Sequence, residues 1–357
     1  MICTRLLNCT IASFLIGVLC TQIHGQGILD NDLGIAESLR PIDQLLQSQL
    51  REWFDARDAA LTDDGKQTPQ WWEVKGRLNP IAVHGTSLLS YAQVHAGTPE
   101  ALICLAYIVD WGEGEPSELY RSACDELVAH YSNDSALSWV CSRCTNALRF
   151  ESMKSFLTRL RHASSNPTVQ AAADFHLAQL MDNALEMQRR IPEIRDSFEA
   201  AGALRGQPDL GHRLETVAKL NSIDLGKQRD ELLEQIKDRF GDRKPGSAKR
   251  TFGRLNYEFF VDADAPTFHE LSDGLLYEIK NLRKGCRAPD FDGTLTDGRV
   301  FRLQDRRGKP TLLMFSFKGC GACEAMYPAL KSVQQRFSKS GFSVIGVMAD
   351  DKQDTVT

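Results

Sequence analysis

Two cysteines near the C-terminal end of the sequence are spaced for disulfide chemistry. The surrounding residues read FSFKGCGACEAMYP, so Cys320 and Cys323 are separated by two small residues and follow an apolar run. A Cys-x-x-Cys pair can form a disulfide and open again by thiol–disulfide exchange. The exchange needs a thiolate, because the thiolate and not the thiol is the nucleophile. These two cysteines are the candidate catalytic residues.

The segments around the pair predict how it is positioned. Thr311–Phe317 is predicted as a short buried strand, Cys320–Phe337 as a helix, and Phe342–Met348 as a second buried strand. This order makes a crossover unit of a parallel sheet, with the cysteines at the junction of strand and helix. The N-terminus of a helix has unpaired N–H groups and a partial positive charge, which stabilise a thiolate. Cys320 is therefore predicted to be the attacking sulfur and Cys323 the resolving one.

The same spacing has two other interpretations. Cys-x-x-Cys is also half of a zinc site, but no second such pair and no Cys/His pair follows it. A structural disulfide is the other alternative, although it would close only a very short loop. The sequence predicts a redox-active Cys320–Cys323 disulfide with no metal and no cofactor, and handling of copper or zinc by this pair is a weaker hypothesis.

The other cysteines are sparse. The ten cysteines of the chain lie at positions 3, 9, 20, 104, 124, 141, 144, 286, 320 and 323. Cys141 and Cys144 have the same spacing inside the helical segment ALSWVCSRCTNALRF, where no strand precedes them. They are predicted to be small buried hydrophobic residues; a disulfide, or a metal site with Cys104 and Cys124, is the alternative. Cys286 is predicted to be a lone thiol.

The first residues have the layout of an export signal. Arg5 precedes an apolar stretch around Ile11–Cys20, and the small residue Gly25 follows. This order predicts a signal peptide over residues 1–25 and an extracytoplasmic protein, either periplasmic or secreted. An uncleaved leader would instead anchor the chain to a membrane. The sequence GVLC, which ends at Cys20, leaves lipidation as a further alternative.

Residues 28–240 have the apolar periodicity of helices. Over about 79–190 a weak repeat occurs at His95, His130 and His162, where a helix is predicted to end before a short turn and a newly capped helix. The spacings of 35 and 32 residues between these histidines are typical of stacked helix pairs such as tetratricopeptide repeats. An irregular helical bundle is the alternative. The histidines themselves are predicted to favour the helix dipole rather than to bind metal.

The pattern changes after residue 240. Residues 241–284 are predicted as a polar linker followed by a connecting helix, Phe268–Arg283. From residue 285 to 357, alternating apolar residues around Asp297-Gly298 predict a hairpin ahead of the strand–helix–strand unit. The predicted fold class is therefore α + α/β, with a helical N-terminal domain and a smaller α/β domain that contains the cysteine pair.

Several short motifs of the α/β domain occur in an order that resembles the TlpA/ResA-like thiol-disulfide oxidoreductases, within the redoxin and AhpC/TSA group of thioredoxin-fold proteins. The matching segments are Ala288–Phe291 (APDF), Asp297-Gly298, Leu303–Lys309 (LQDRRGK), Leu312–Phe317, Cys320–Cys323, Tyr327-Pro328 and Gly346–Asp350. The resemblance covers about residues 288–357. It implies a thioredoxin-like fold and an extracytoplasmic dithiol protein that reduces or isomerises disulfides in other proteins, in cytochrome maturation or in redox (antioxidant) defence.

The sequence departs from the family pattern at several positions. Gly319 stands where the family usually has tryptophan, and Ala322 stands where it has proline. Phe317 occupies the position at which a peroxiredoxin would have threonine, which argues against peroxidase chemistry. The family also places a cis-proline opposite the cysteines, and no proline follows Pro328. The thioredoxin-like domain is therefore expected to be truncated at its C-terminal end, a fragment or degenerate.

Composition limits the partners. Charged residues make up 25% of the chain and hydrophobic residues 42%, as in soluble globular proteins, and the net charge of −5 argues against a nucleic-acid partner. The sequence predicts an exported thiol-disulfide oxidoreductase that acts on protein thiols and disulfides. The alternative function is a helical scaffold that binds a protein partner and carries an inactive redoxin domain. A membrane contact is expected only if the leader is uncleaved.

Overall fold

The computed structural model describes residues 34–63, 65–112 and 118–348. The described residues divide into two compact units, with the boundary between Leu276 and Tyr277. The predicted signal peptide and the last nine residues lie outside the described residues. Within the described ranges, no helix is both long and apolar enough to cross a membrane.

The first unit is mainly helical, as predicted for residues 28–240. Its helices in chain order are α1 (Arg40–Ala59), α2 (Pro69–Arg77), α3 (Pro80–Val94), α4 (Pro99–Trp111), α5 (Glu118–Tyr131), α6 (Leu137–Ser142), α7 (Phe150–Ala163), α8 (Pro167–Arg189), α9 (Ile191–Ala200), α10 (Ala203–Gly206), α11 (Asp209–Ala218), α12 (Ser222–Phe240) and α13 (Phe268–Asn281). The last residues of α13 already belong to the second unit.

A two-residue signal starts four of these helices. Thr68, Asn79, Thr98 and Asn166 are the N-caps of α2, α3, α4 and α8, and a proline follows each of them. In every case the side-chain oxygen of the cap accepts a backbone N–H from the first turn. Proline suits the first helical position because its missing N–H would have no partner there. The sequence thereby fixes where these helices begin.

Consecutive helix turns of the predicted repeat are hydrogen-bonded to one another. The hydroxyl of Tyr131, at the end of α5, accepts the N–H of Gly97 at 2.8 Å and donates to the carbonyl of Thr98 at 3.0 Å. Asn133 Oδ1 accepts the N–H of Ser165 at 2.6 Å, which ties the same turn to the next one. The helices end near His95, His130 and His162, as expected. Whether these units form a true repeat stays a prediction.

Helix α8 forms the centre of the helical core. It packs against both α7 and α12. Its buried residues include a run of alanines, Ala171–Ala173, and the large side chains Phe175 and Met181. Small residues let neighbouring backbones approach closely. Because 15 of the 23 residues of α8 are buried, this helix contributes apolar burial to the core along most of its length.

A β-hairpin follows α12 where the sequence predicted a solvated linker. Strand β1 (Gly246–Lys249) pairs antiparallel with β2 (Glu258–Val261), and both belong to the helical unit. The N–H of Gly246 donates to Ser138 Oγ at 2.8 Å, so the hairpin is attached to α6. A Cβ atom at Gly246 would lie 3.1 Å from Ser138 Cβ and from the backbone N of Trp139, which is a tight contact, so glycine suits this position. The linker prediction is wrong over this segment, because packing on α6 orders it.

The second unit contains the predicted strand–helix–strand order. A short hairpin is made of β3 (Asp292–Thr294) and β4 (Val300–Arg302), and its turn contains Asp297 and Gly298, the latter with a φ of +87°. Strands β5 (Thr311–Ser316) and β6 (Ser343–Met348) form a parallel pair, and α14 (Gly321–Phe337) connects them. This small sheet with its helix fits the thioredoxin-like part of the predicted α + α/β class, and the truncation stays a prediction.

Candidate redox site

The chain turns sharply between β5 and the helix that follows. β5 ends at Ser316, and the N–H of Cys320 donates to the carbonyl of Phe317 at 3.3 Å. Gly319 has a φ of +83°, a left-handed conformation that glycine adopts without strain. The family's tryptophan at this position would be strained here. The turn places Cys320 immediately before the first residue of α14.

Cys320 is the N-cap of α14. Its carbonyl accepts the N–H groups of Cys323 at 2.9 Å and of Glu324 at 3.1 Å, and its sulfur accepts the N–H of Cys323 at 3.3 Å. A cap residue satisfies backbone donors that have no partner within the helix. A sulfur in this position favours the anionic form, because N–H donors and the positive end of the helix dipole point at it.

The two cysteines form a disulfide in this structure. Cys320 and Cys323 are bonded, with their Cα atoms 5.3 Å apart. Both residues are only partly buried, so the bond is accessible from solvent. The structure thus brings together the two sulfurs that the sequence singled out, and it places the first at the helix start and the second one turn further in.

A pair of hydroxyl groups lies next to this turn and was not predicted. Ser316, which is 3% exposed, and Tyr327 have their hydroxyl oxygens 3.3 Å apart. Tyr327 follows Cys323 by four residues and therefore lies on the same face of α14. The sequence indicates this proximity only through the four-residue spacing between Cys323 and Tyr327. That spacing predicts a shared helix face only when the start of the helix is known. Pro328 follows inside the helix, so one backbone hydrogen bond of α14 is missing.

Large apolar side chains are exposed close in sequence to the disulfide. Phe317 is 45% exposed, Met326 is 36% exposed and Tyr327 is 37% exposed. Exposed apolar groups that flank a reactive bond can contact an unfolded or extended polypeptide by burial of apolar surface. The charged neighbours Lys318 and Glu324 are exposed on either side of the turn.

The second Cys-x-x-Cys pair is in a different environment. Cys141 and Cys144 are completely buried and unpaired, as are Cys104 and Cys124. Desolvation by burial raises the pKa of Cys144 to about 11, and it raises the pKa of Cys104 to about 12. The prediction of buried small hydrophobic residues is confirmed for Cys141 and Cys144.

No metal site accompanies these thiols in the part of the chain that the structure describes, where no group of three or more His, Cys, Asp or Glu residues could hold an ion. The hydroxyl of Tyr120 lies 3.7 Å from the sulfur of Cys144, inside the same buried region. Cys286, by contrast, is exposed and unpaired, and its thiol donates to the carbonyl of Lys280 at 3.5 Å.

Comparison with known proteins relates the C-terminal unit to a family. Residues 284–357 match the AhpC/TSA family. The chain is 27% identical over 86 residues to the thiol-disulfide oxidoreductase ResA of Bacillus cereus (strain ZK / E33L), a match that covers 24% of this chain and 50% of the relative. It is also 27% identical over 81 residues to ResA of Bacillus thuringiensis (strain Al Hakam), covering 23% of this chain and 47% of the relative.

The same figures hold for ResA of Bacillus anthracis, with 27% identity over 81 residues. The chain therefore spans about half the length of the curated relatives that it matches. No solved structure is significantly similar to the chain. The resemblance to the redoxin group is confirmed for the C-terminal unit, and the helical unit lies outside these matches.

Proposed function

We propose, from the premise that residues 284–357 carry an AhpC/TSA domain, that this protein is a thiol-disulfide oxidoreductase. Cys320 would be the nucleophile and Cys323 the resolving cysteine. The observation that carries the proposal is the position of Cys320 as the N-cap of α14, where its sulfur accepts a backbone N–H at 3.3 Å. A thiolate gains most from such a position, and the thiolate is the species that attacks disulfides.

The exchange takes place in two steps that conserve electrons. The Cys320 thiolate attacks one sulfur of a substrate disulfide, which forms a Cys320–substrate bond and releases the other substrate sulfur as a thiolate that takes up a proton. Cys323 then loses its proton and attacks the sulfur of Cys320, forming the Cys320–Cys323 bond and releasing the second substrate thiol. Two electrons pass to the substrate, and an external dithiol reductant restores the pair.

Protein disulfides are the substrate class that suits the surroundings of the site. The exposed side chains Phe317, Met326 and Tyr327 offer apolar contact area next to the bond. Such contacts bind a polypeptide through burial of nonpolar surface and do not depend on one particular sequence. The match to relatives named thiol-disulfide oxidoreductase supports the same class of chemistry.

The proposed setting is extracytoplasmic. It rests on the leader at residues 1–25, with Arg5, the apolar stretch around Ile11–Cys20 and Gly25. In the proposed domain organisation this signal precedes the helical domain at 28–240, the hairpin and connecting helix within 241–284, and the redoxin domain at 285–357. N-terminal sequencing of the exported protein tests the leader: a first residue close to position 26 supports it, and an intact Met1 contradicts it.

A turnover assay on the full chain tests the activity. The reduced protein is incubated with insulin and excess dithiothreitol, and the rate of disulfide cleavage is compared with that of dithiothreitol alone. We expect Cys320→Ser to remove the protein-dependent rate, because the attacking sulfur is lost. Cys286→Ser is the matched control, since it removes an exposed thiol of the same unit and should leave the rate unchanged. A Cys320→Ser protein as active as the wild type contradicts the proposal.

A further inference from the structure

A buried carboxylate in the helical unit is shared by two arginines. Asp110, near the end of α4, has a side chain that is only 2% exposed. Its Oδ1 lies 2.7 Å from Nε of Arg143, just after α6, and its Oδ2 lies 3.2 Å from an Nη atom of Arg250, just after β1. The hydroxyl of Tyr257 donates to Oδ2 at 3.0 Å. Three separate parts of the unit therefore converge on one aspartate.

The two guanidinium groups keep donors that Asp110 does not use. Each guanidinium has five N–H donors, more than one shared carboxylate can accept from two arginines. Arg143 contacts Asp110 through Nε, and Arg250 contacts it through an Nη atom. Within the described residues, neither group has another ion-pair or hydrogen-bond partner. The side chains are 40% exposed in Arg143 and 25% exposed in Arg250, so their free donors reach solvent.

Aromatic rings hold both groups in place. The Arg143 guanidinium lies 5.8 Å from the centroid of the Trp139 ring, and that of Arg250 lies 5.8 Å from the Tyr257 ring. Both rings are more than nine-tenths buried. Cation–π contact and the shared carboxylate together restrict the two side chains, so little conformational entropy is lost when an anion binds them.

Charge balance shows that one positive charge is left over. Two guanidinium groups and one carboxylate give a net charge of +1 at this point. The buried aspartates Asp43 and Asp174 differ, since each forms an ion pair with one arginine in the described part of the chain.

We propose that Arg143 and Arg250 form a binding site for a carboxylate group on the helical unit. The carboxylate belongs either to a small organic acid or to an acidic peptide. A carboxylate is planar and matches the N–H fork of a guanidinium, and as a monoanion it neutralises the excess charge. A phosphate dianion would leave a net negative charge beside the buried Asp110. The site is independent of the disulfide chemistry proposed for the other unit.

Calorimetric titration of the intact protein tests the proposal. The probes are acetate, a short Asp/Glu peptide with an amidated C-terminus, and inorganic phosphate. We expect saturable binding of a carboxylate probe that Arg143→Gln weakens by about tenfold or more, because a charge-assisted hydrogen-bonded pair is lost. Arg159→Gln is the matched control, since Arg159 is an exposed arginine paired with Asp125, and it should bind as the wild type does. Peptide binding much tighter than acetate identifies an acidic peptide, and equal affinities identify a small acid.

Two further variants keep the test decisive if Arg143→Gln fails to fold. Arg143→Lys keeps the positive charge over Asp110 but loses the planar fork, so it should fold and bind more weakly. Asp110→Asn removes the competing negative charge and should bind carboxylates more tightly. Full affinity in Arg143→Lys, absence of saturable carboxylate binding, or binding of phosphate alone overturns the proposal. None of these readouts depends on the state of Cys320, so failure here is distinct from failure of the redox proposal.

Discussion

The thiols of this protein differ in whether a charge on them would be stabilised. The sulfur of Cys320 accepts an N–H at the start of α14, and the residue is partly exposed. Cys104 and Cys144 are completely buried, which raises their pKa values to about 12 and about 11. The difference in environment is therefore a difference in expected nucleophilicity, because only the thiolate reacts.

Alkylation of the reduced protein tests this difference directly. At pH 8 and limiting iodoacetamide, we expect Cys320 to be modified first and Cys104 and Cys144 to stay unmodified until denaturant is added. Peptide mass spectrometry after timed quenching gives the order. The freely exposed Cys286 is the internal reference for an ordinary accessible thiol. Labelling of Cys144 at the rate of Cys286 in the native protein would show that the burial described here is wrong.

A buried histidine makes stability depend on pH. His176 in α8 is 8% exposed, its Nδ1 is paired with Gln179, and its Nε2 has no hydrogen-bond partner within the described residues. Desolvation lowers its pKa to about 4. The unfolded chain, with an ordinary histidine pKa of about 6.5, binds a proton first as the pH falls. Stability is thus fully present above about pH 6.5 and is lost towards pH 4, by an amount on the order of 3 kcal/mol.

Chemical denaturation at pH 7 and pH 5 measures this contribution. The wild type should lose unfolding free energy between pH 7 and pH 5. We expect this decrease to be smaller in His176→Gln, because the titrating group is gone. His212→Gln, which alters an exposed histidine of α11, should leave the pH dependence of the wild type unchanged. An identical pH dependence in wild type and His176→Gln contradicts the assignment.

The turns between helices of the first unit are linked by specific side chains. Tyr131 joins its own turn to the one at Gly97 and Thr98 through a single hydroxyl, and this hydroxyl is the partner of a backbone N–H. Helix pairs that stack in this way stabilise one another mostly through their nearest neighbours. Loss of this one hydroxyl is therefore expected to lower the stability of both turns.

Removal of this hydroxyl should be measurable. We expect Tyr131→Phe to lower the unfolding free energy by about 1–2 kcal/mol, because the N–H of Gly97 loses its partner in a partly buried place. Urea denaturation followed by circular dichroism measures the change. Tyr91→Phe is the matched control, as Tyr91 packs on His95 but its hydroxyl makes no hydrogen bond within the described residues. Equal losses of unfolding free energy in Tyr131→Phe and Tyr91→Phe would show that the hydrogen bonds of the Tyr131 hydroxyl do not stabilise the unit.

The sequence predicts these elements where local signals are strong. The apolar run Thr311–Phe317 and the small residues around Cys320 place the strand and the helix start within a residue of the observed bounds. The hairpin at β1 could not be predicted, because its sequence GSAK has low strand propensity and is ordered by packing on α6. The cluster around Asp110 was missed for a related reason: its members lie on separate segments that only the fold brings together.

The first long helix of the helical unit, α1, is hydrogen-bonded to the segment between β1 and β2, near the end of the same unit. Asp43 of α1 is 2% exposed, and it accepts hydrogen bonds from Arg254 Nε and from the N–H of Leu255, both at 2.9 Å. Gln47 on the same helix donates to the carbonyl of Gly253 at 2.5 Å. The segment between β1 and β2 is thus held by the first helix. Such long-range contacts make unfolding of the unit cooperative.

Loss of the hydrogen bonds that Asp43 accepts should destabilise the whole helical unit. We expect Asp43→Ala to lower the unfolding free energy by about 2–3 kcal/mol, since a buried N–H and a guanidinium lose their acceptor. Thermal denaturation followed by circular dichroism measures the loss. Asp55→Ala changes an exposed aspartate on the same helix and should be close to neutral. An Asp43→Ala protein as stable as the Asp55→Ala protein would show that the hydrogen bonds of Asp43 contribute little to the free energy of unfolding.

The protein consists of a mainly helical unit and a C-terminal unit in which residues 284–357 match the AhpC/TSA family, and the described helical unit supplies no exposed thiol. The redox function proposed for the chain therefore depends on the second unit. Cys320 would form the transient bond with substrate, and Cys323 would release it. Removal of Cys323 should leave the first step intact and block the second, so that the intermediate accumulates.

Trapping of that intermediate is the most direct measurement. The Cys323→Ser protein is mixed with a peptide that contains a disulfide, quenched with acid and digested for mass spectrometry. We predict a stable mixed disulfide between the peptide and Cys320, which does not accumulate in the wild type. An adduct on Cys286 instead, or no adduct at all in a folded protein, would contradict the assignment of Cys320 as the attacking sulfur.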